Sequence, residues 1–279
     1  MKHLSTKSSQ SIVAGGKLIS FEKPLIMGIL NLTPDSFFDG GQHNTVELAI
    51  RKAAELIESG VDIIDIGAYS SRPGAPLISV KQEADRALPL INALSKRYPS
   101  TLLSIDTFRS QIAQASVEAG VHMINDISGG TLDKNMFSTV AKLQVPYILM
   151  HMRGKPENMQ ELTNYEDIVL DVATFFGQKI AELRALGVRD IILDPGYGFA
   201  KTIEQNYELV HRVDELQYFD LPILGGISRK SMIYKKLNIT PEEALIGTTA
   251  LNTLLLSKGV QLLRVHDVKE AKQLVDLLF

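Results

Sequence analysis

Polar side chains stand at recurring places in the 279-residue sequence, each directly after a short apolar run: Asn31, Ser70 to Arg72, Asp106, Asn125 with Asp126, His151, Asp194, Ser228 with Lys230, and Arg264 with His266. Carboxylates, carboxamides, hydroxyls and cations in one place could complement a ligand rich in donors and acceptors. Arg264 and His266 are two apart in an extended run, so they project from the same face of their strand. Any one of these residues has an ordinary alternative use as a helix cap or a loop hydrogen-bonding partner. Their repetition, run after run, favours a shared site. Cysteine is absent, which excludes thiolate nucleophiles, zinc–thiolate centres and disulfides, so any metal must be held by oxygen or imidazole.

The runs that carry these residues are PLIMGIL (24–30), VDIIDIG (61–67), TLLSID (101–106), VHMIND (121–126), VPYILMH (145–151), RDIILDP (189–195), LPILGGIS (221–228) and VQLLRVH (260–266). They are mostly continuous and not alternating, as in parallel strands buried on both faces. Amphipathic segments of helical period lie between them, for example TVELAIRKAAELIESG. Four runs are entered through Gly60-Val61, Gly120-Val121, Gly187-Val188 and Gly259-Val260, where glycine can end the preceding helix. Eight such units could close as a barrel or open as a doubly wound sheet. The regular repeat and the lack of a GxGxxG or Walker loop favour the barrel. The expected fold is therefore α/β, a single (β/α)8 TIM barrel occupying residues 1–279 as one domain. Residues 11–22 should form a short N-terminal β-hairpin around Gly15-Gly16 that closes the barrel bottom, with residues 1–10 a flexible N-terminus. The long connection after His151, GKPENMQELTNYED, is expected to be an exposed loop or a short insertion. In a barrel the strand C-termini converge on one mouth, where active sites of this fold are found.

Composition limits the partners. With 45% hydrophobic and 22% charged residues the chain can bury a large core, and a net charge of −3 leaves no electrostatic footprint for nucleic acid or an anionic membrane. The start, MKHLSTKSSQ, lacks an apolar signal region, and no run approaches the roughly 18 apolar residues of a membrane span. The expectation is a cytoplasmic enzyme.

The strand ends also carry a resemblance. LIMGILNLTPDSFFDGG (25–41), DIIDIGAYSSRPGA (62–75), SIDTFR (104–109), MINDISGG (123–130), ILMHMRG (148–154), ILDPGYGFAK (192–201), GISRKSM (226–232) and RVHDV (264–268) resemble, in this order, the signatures of the dihydropteroate synthase family from about residue 12 to the C-terminus. INDI or LDPG alone would be weak, because related pterin-binding barrels share them; TPDSF, SRPGA, SRKS and RVHDV in this order are specific. The resemblance implies a folate-forming transferase that replaces the pyrophosphate of a 6-hydroxymethyl-7,8-dihydropterin pyrophosphate with p-aminobenzoate. It also implies a magnesium ion (Mg2+), a homodimer with ALNTLLLSK and AKQLVDLLF as candidate interface, and a sulfonamide target.

Residue by residue, the resemblance assigns Asp194 to the pterin's guanidine-like donor pair, Asn125 and Asp106 to neighbouring ring positions, and Lys230 to the carbonyl and ring. Phe199 or Met150 would supply an apolar wall. Arg264 and His266 would address the pyrophosphate, Arg264 also stacking on the ring, and Asn31 the metal. Ser71, Arg72, Phe37 and Pro73 would shape the aminobenzoate pocket. Ser228, ahead of a helix expected to begin near Arg229, would meet the benzoate carboxylate. Asp35 would be catalytic beside Lys230, Arg264 and His266, stabilising a cationic methylene as pyrophosphate leaves. The amine is a neutral nucleophile that needs no prior deprotonation, so the hard step is leaving-group departure, which asks for electrostatic stabilisation and exclusion of water. The loops Thr33–Gly41 and Ala68–Ala75 are expected to close over the site. Three positions depart from the family pattern: Tyr69 replaces a usual glutamate, Phe38 a frequent serine and Ala200 a frequent glycine. A methyltetrahydrofolate-dependent corrinoid methyltransferase would not need Arg264, His266, SRPGA or SRKS. A non-catalytic pterin-binding paralogue would not need an intact Asn31, Asp35, Arg72, Lys230 and His266.

Overall fold

Gly15 and Gly16 stand at φ +58° and +72°, the pair of positive values that a two-residue hairpin turn favours. They join β1 (Ser11–Ala14) to β2 (Lys17–Ser20) in an antiparallel ladder with Ile12 opposite Ile19. The computed structural model describes residues 10–32, 42–70 and 78–279. Gln10, at the edge of the expected flexible segment, accepts from Phe21 N at 3.0 Å and from Gln261 Nε2 at 2.7 Å.

Eight parallel strands follow: β3 (Leu25–Asn31), β4 (Ile63–Gly67), β5 (Leu102–Asp106), β6 (Met123–Asp126), β7 (Tyr147–Met150), β8 (Ile191–Asp194), β9 (Leu224–Gly225) and β10 (Leu262–Val265). Their order is β8-β7-β6-β5-β4-β3-β10-β9, and the ring closes through a parallel bridge between Leu193 and Ile223 and a 2.8 Å bond from Leu193 N to Pro222 O. Between and after them run α1 (Gln42–Glu58), α2 (Val80–Arg97), α3 (Ser110–Glu118), α4 (Met136–Leu143), α5 (Ile168–Ala185), α6 (Ile203–His211), α7 (Ser231–Leu237), α8 (Leu245–Ser257) and α9 (Val268–Leu278). The expected (β/α)8 barrel and its N-terminal hairpin are both present.

The four Gly-Val entries share one geometry. Gly60, Gly120, Gly187 and Gly259 have φ between +83° and +113°. Val61, Val121, Val188 and Val260 donate back to Leu56, Ser116, Leu183 and Leu255 at 3.0 to 3.1 Å, the long bond of a Schellman cap. Each valine therefore belongs to the end of its helix, which is why these strands begin two residues later than the apolar runs. The seventh strand is shorter than its run, with a ladder of only Leu224–Gly225. Pro222, near the start of that run, has no amide to donate.

Alternation along the strands separates two cores. Ile26, Leu30, Ile64, Ile66, Ile105 and Leu193 pack outward against the helices. Met27, Ile63, Met123, Ile148, Ile192, Leu224 and Leu262 fill the barrel interior, where Ile12 and Phe21 of the hairpin region join them from below. The long connection after His151 is largely the exposed loop expected for it, with Pro156 and Met159 turned inward. Met159, in a 3-10 turn (Met159–Glu161), is buried with Ile127, Met150, Met152 and Ala200, because an apolar side chain in that stretch finds the barrel mouth to cover.

Candidate functional site

Two residues beyond the interior apolar ring, about 6.6 Å along each strand, the same face carries Ile29, Asp65, Ser104, Asn125, Met150, Asp194, Gly226 and Arg264. Above them lies a cavity of about 400 Å³, lined among others by Asn31, Tyr69, Ser70, Asp106, Phe199, Ser228, Lys230 and His266. The mouth thus gathers Asn31, Asp106, Asn125, Asp194, Phe199, Ser228, Lys230, Arg264 and His266. Asp35, Phe37, Phe38, Ser71, Arg72 and Pro73 lie outside the described residues. Two strand-end residues serve the scaffold instead. Asp126 accepts from Ser128 N and Oγ, Gly130 N and Tyr147 Oη, while His151 backs Lys201.

The floor of the cavity is an ionic cluster. Arg264 Nε donates to Asp65 Oδ2 at 2.7 Å and its Nη2 to Asp106 Oδ2 at 2.8 Å, while Asn125 Nδ2 donates to Asp65 Oδ2 at 2.9 Å. Asp65 is fully buried, and Asp65 Oδ1 and Asn125 Oδ1 are buried acceptors without a protein partner among the described residues. Burial pushes the Asp106 carboxyl up to about 7 against the pull of Arg264, with the negative charge of Asp65 adding to the rise. Burial also works against the charge on Arg264, but Asp65 and Asp106 hold its guanidinium above the ordinary arginine value.

Across the cavity, Asp194 Oδ1 accepts from Gly196 N at 2.8 Å. Burial raises its pKa, and the neighbouring Lys230 restrains that rise. Lys230 is itself brought down to about 8 by burial, against the favourable field of Asp194. Its ammonium donates to Tyr197 O and stands 4.8 Å from the centre of the Phe199 ring, so Phe199 is both wall and partner.

His266 follows β10 directly, with its backbone N–H on Ser228 Oγ at 3.1 Å and its Nδ1 at 3.1 Å from the same hydroxyl. The hydroxyl can accept from His266 N–H and donate to Nδ1 at once, the arrangement in which the imidazole proton is carried on Nε2. His266 is open to the mouth, and the crowding of its ring and then Arg264 lower its pKa, so near neutral pH it is an uncharged donor. The helix expected near Arg229 begins at Ser231, and Arg229 has φ +54°. Left-handed Arg229 interrupts helical geometry, so the hydroxyl of Ser228 serves His266 and caps no helix.

At the end of β3, Gly67 makes room for Asn31: a Cβ at residue 67 would stand 2.8 Å from Asn31 Oδ1. Among the described residues no three His, Asp or Glu side chains are grouped to hold a metal. Tyr69, the replacement for the usual glutamate, lies edge-on to Phe108 at 5.1 Å and 5.7 Å from the Arg109 guanidinium, which Glu83 holds at 2.6 Å.

Residues 27–266 match the family model of pterin binding enzymes. The chain is 40% identical over 261 residues to the dihydropteroate synthase of Escherichia coli (strain K12), covering 93% of this chain and 92% of that one. The chain belongs to the dihydropteroate synthase family. A solved Yersinia pestis dihydropteroate synthase with a sulfonamide drug superposes with TM-score 0.90 at 39% identity, covering 96% of this chain and 97% of that one. The Xanthomonas albilineans dihydropteroate synthase in complex with 7,8-dihydropteroate does so with TM-score 0.87 at 33% identity, covering 96% and 97%. As a member of the dihydropteroate synthase family the chain is an enzyme of folate synthesis.

The resemblance assigns no role to Asp65, Tyr197 or Lys201, although its segments contain them, and it does not reach Met159; all four build the site or its walls. Asp65 had a signal: in VDIIDIG it is the charged residue in phase with Ile63 and Gly67, hence on the interior face.

Proposed function

We propose that this chain joins 6-hydroxymethyl-7,8-dihydropterin pyrophosphate to p-aminobenzoate, releasing pyrophosphate, and that the pterin occupies the cavity between Asp194 and the Arg264 cluster. The observation that carries this reading is the meeting of Asp194, Asn125 and Lys230 with Arg264 in one buried pocket. A carboxylate can accept two parallel N–H groups, and Asp194, fixed by Gly196 N through Oδ1, retains lone pairs for the amide and amino donors of the pterin edge. Asn125 offers its free Oδ1 to a ring N–H. Lys230, already beside Phe199, donates to the ring carbonyl. Asp65 and Asp106 hold the guanidinium of Arg264 as a flat cation against the ring and the diphosphate end. His266, held through Nδ1 by Ser228, would donate from Nε2 to the leaving group.

Magnesium fits the same end. Asn31 would give one oxygen from a carboxamide that Gly67 leaves room for, the remaining ligands being phosphate oxygens and water, in keeping with this ion's habits. When bound, it neutralises charge building on the departing pyrophosphate. Asp35 would stabilise the positive charge left on the pterin methylene, and Ser71, Arg72 and Ser228 would hold the aminobenzoate. We further infer one domain over 1–279, a cytoplasmic location, and a homodimer through the C-terminal helices, supported by the exposed Ile246 and Leu277. No described helix is long and apolar enough to cross a membrane.

The test is single-turnover pyrophosphate release from the pterin substrate, with and without p-aminobenzoate and with and without chelator. The expected result is release coupled to dihydropteroate formation and abolished by chelation. Pterin binding without release would mark a non-catalytic paralogue. Full turnover in excess chelator would remove magnesium from the reading.

A further inference from the structure

One buried cation has no part in the proposed reaction. Lys201 is only 4% exposed, and its Nζ lies 3.0 Å from each of three acceptors: Gly196 O, Phe199 O and His151 Nδ1. An ammonium has three protons, and here each has an acceptor. His151 is suited to accept, since burial and then the charge of Lys201 hold its imidazole neutral, and its ring is wedged edge-on against Phe175 at 5.1 Å. The burial that makes Lys201 costly to charge lowers its pKa to about 7, a cost that Asp194 offsets in part.

The segment Lys201 grips, residues 195–200, carries much of the pterin wall. Gly196 N fixes Asp194, Tyr197 O receives Lys230, and the Phe199 ring faces the Lys230 ammonium. Local preference does not hold this turn, because Ala200 sits at φ +50°, a conformation that L residues with a Cβ rarely adopt. Outside support comes from beneath on two sides. Asn206 Oδ1 accepts from Gly198 N, its Nδ2 donates to Thr202 O, and Lys201 takes the carbonyls on either side.

We propose that Lys201 is a positioning residue for the pterin subsite, fixing the carbonyls of Gly196 and Phe199 so that Asp194, Phe199 and Lys230 face the ring, without touching substrate itself. The inference rests on the pterin reading above, and it predicts a split between the two substrates, because Lys201 braces only the wall that meets the pterin. The experiment measures the affinity of a non-reactive pterin analogue by calorimetry and the KM for p-aminobenzoate, in the parent enzyme, Lys201→Met and Lys201→Gln. The expected result is an analogue Kd raised tenfold or more in Lys201→Met and less in Lys201→Gln, which keeps a donor, with the p-aminobenzoate KM within twofold. An analogue Kd within twofold of the parent in either folded variant overturns the proposal. So does a parallel rise in both substrates' constants, the mark of general loosening. If Lys201→Met does not fold, Lys201→Gln alone decides by the same two readings. Failure of the parent to bind the analogue would instead overturn the pterin reading, so the two failures are distinguishable.

Discussion

The interior of this barrel carries two rings of side chains, one pleat repeat apart on the same strands. In the lower ring Met27, Ile63, Met123, Ile148, Ile192, Leu224 and Leu262 pack with Ile12 and Phe21 in one apolar cluster. In the upper ring Asp65, Asn125, Asp194 and Arg264 face one another with buried acceptors left over. The lower ring gains free energy from apolar burial. The upper ring holds charges where their desolvation is expensive, as the raised Asp106 and Asp194 and the lowered Lys230 record. Two residues along a strand thus separate a stabilising layer from a strained, ligand-ready one, and substitutions in each layer should fail differently.

The largest effect is expected where the cluster of two carboxylates in the upper ring loses Arg264, the cation that bridges them. Arg264→Met leaves the fully buried Asp65 with Asn125 alone and the partly buried Asp106 without its cation, which should destabilise the fold by about 3 kcal/mol and abolish activity. The pH dependence has a definite sign. Asp106 in the native state sits near 7, above the usual unfolded carboxylate, so the native state binds the extra proton and stability falls as pH rises toward 7. Without Arg264 that native pKa rises further, so the deficit should be larger at pH 8 than at pH 6. Urea unfolding at the two pH values measures this, and a loss below about 1 kcal/mol would show the cluster behaving like a surface pair.

A paired substitution separates the rings. Ile148→Ala in the lower ring removes fully buried aliphatic carbon and should cost about 2 to 5 kcal/mol of stability, with pterin-analogue affinity within twofold. Asp194→Asn in the upper ring relieves a buried carboxylate but also takes away the charge that favours Lys201 and Lys230, so it should cost less stability than Ile148→Ala, while analogue binding weakens by about 2 to 4 kcal/mol as one acceptor pair becomes a mismatched donor and acceptor. Denaturation and calorimetry on both variants give the four numbers. Parallel loss of stability and affinity in either variant would dissolve the distinction.

The barrel and much of its mouth were legible because strand-end residues such as Asp106, Asn125 and Asp194 stand at the junction of an apolar run and a loop, where local pattern and function coincide. The four Schellman glycines were legible for a local reason too, although the valines after them look like strand and serve as caps. What escaped notice depends on long-range contact. Asp65 sits inside a strand, and only alternation with Ile63 and Gly67 betrays its face. Lys201 follows a run of loop residues, and nothing local says that its ammonium turns inward to His151, fifty residues earlier. Met159 reads as part of a polar loop until the 3-10 turn lays it over the mouth. Ser228 reads as a cap because the left-handed Arg229 that displaces the helix has no signature in its side chain.

The smallest expected effect compares backbone conformation at the two ends of the barrel. Ala200 at the mouth and Ala14 in β1 at the bottom are both buried, yet Ala200 has φ +50° while Ala14 is in an ordinary strand. Replacing either by glycine removes a buried methyl, about 0.8 kcal/mol, and adds unfolded-chain entropy of about 0.4 to 1 kcal/mol. At Ala14 nothing offsets these losses, so Ala14→Gly should destabilise by roughly 1 to 2 kcal/mol. At Ala200 glycine also relieves the clash of Cβ in the left-handed region, a gain of about 1 to 2 kcal/mol, so Ala200→Gly should fall within about 0.8 kcal/mol of the parent. Urea unfolding of the two variants measures the difference. Equal losses would mean that Ala200 is relaxed where it stands, and that the mouth holds its charges but no backbone strain.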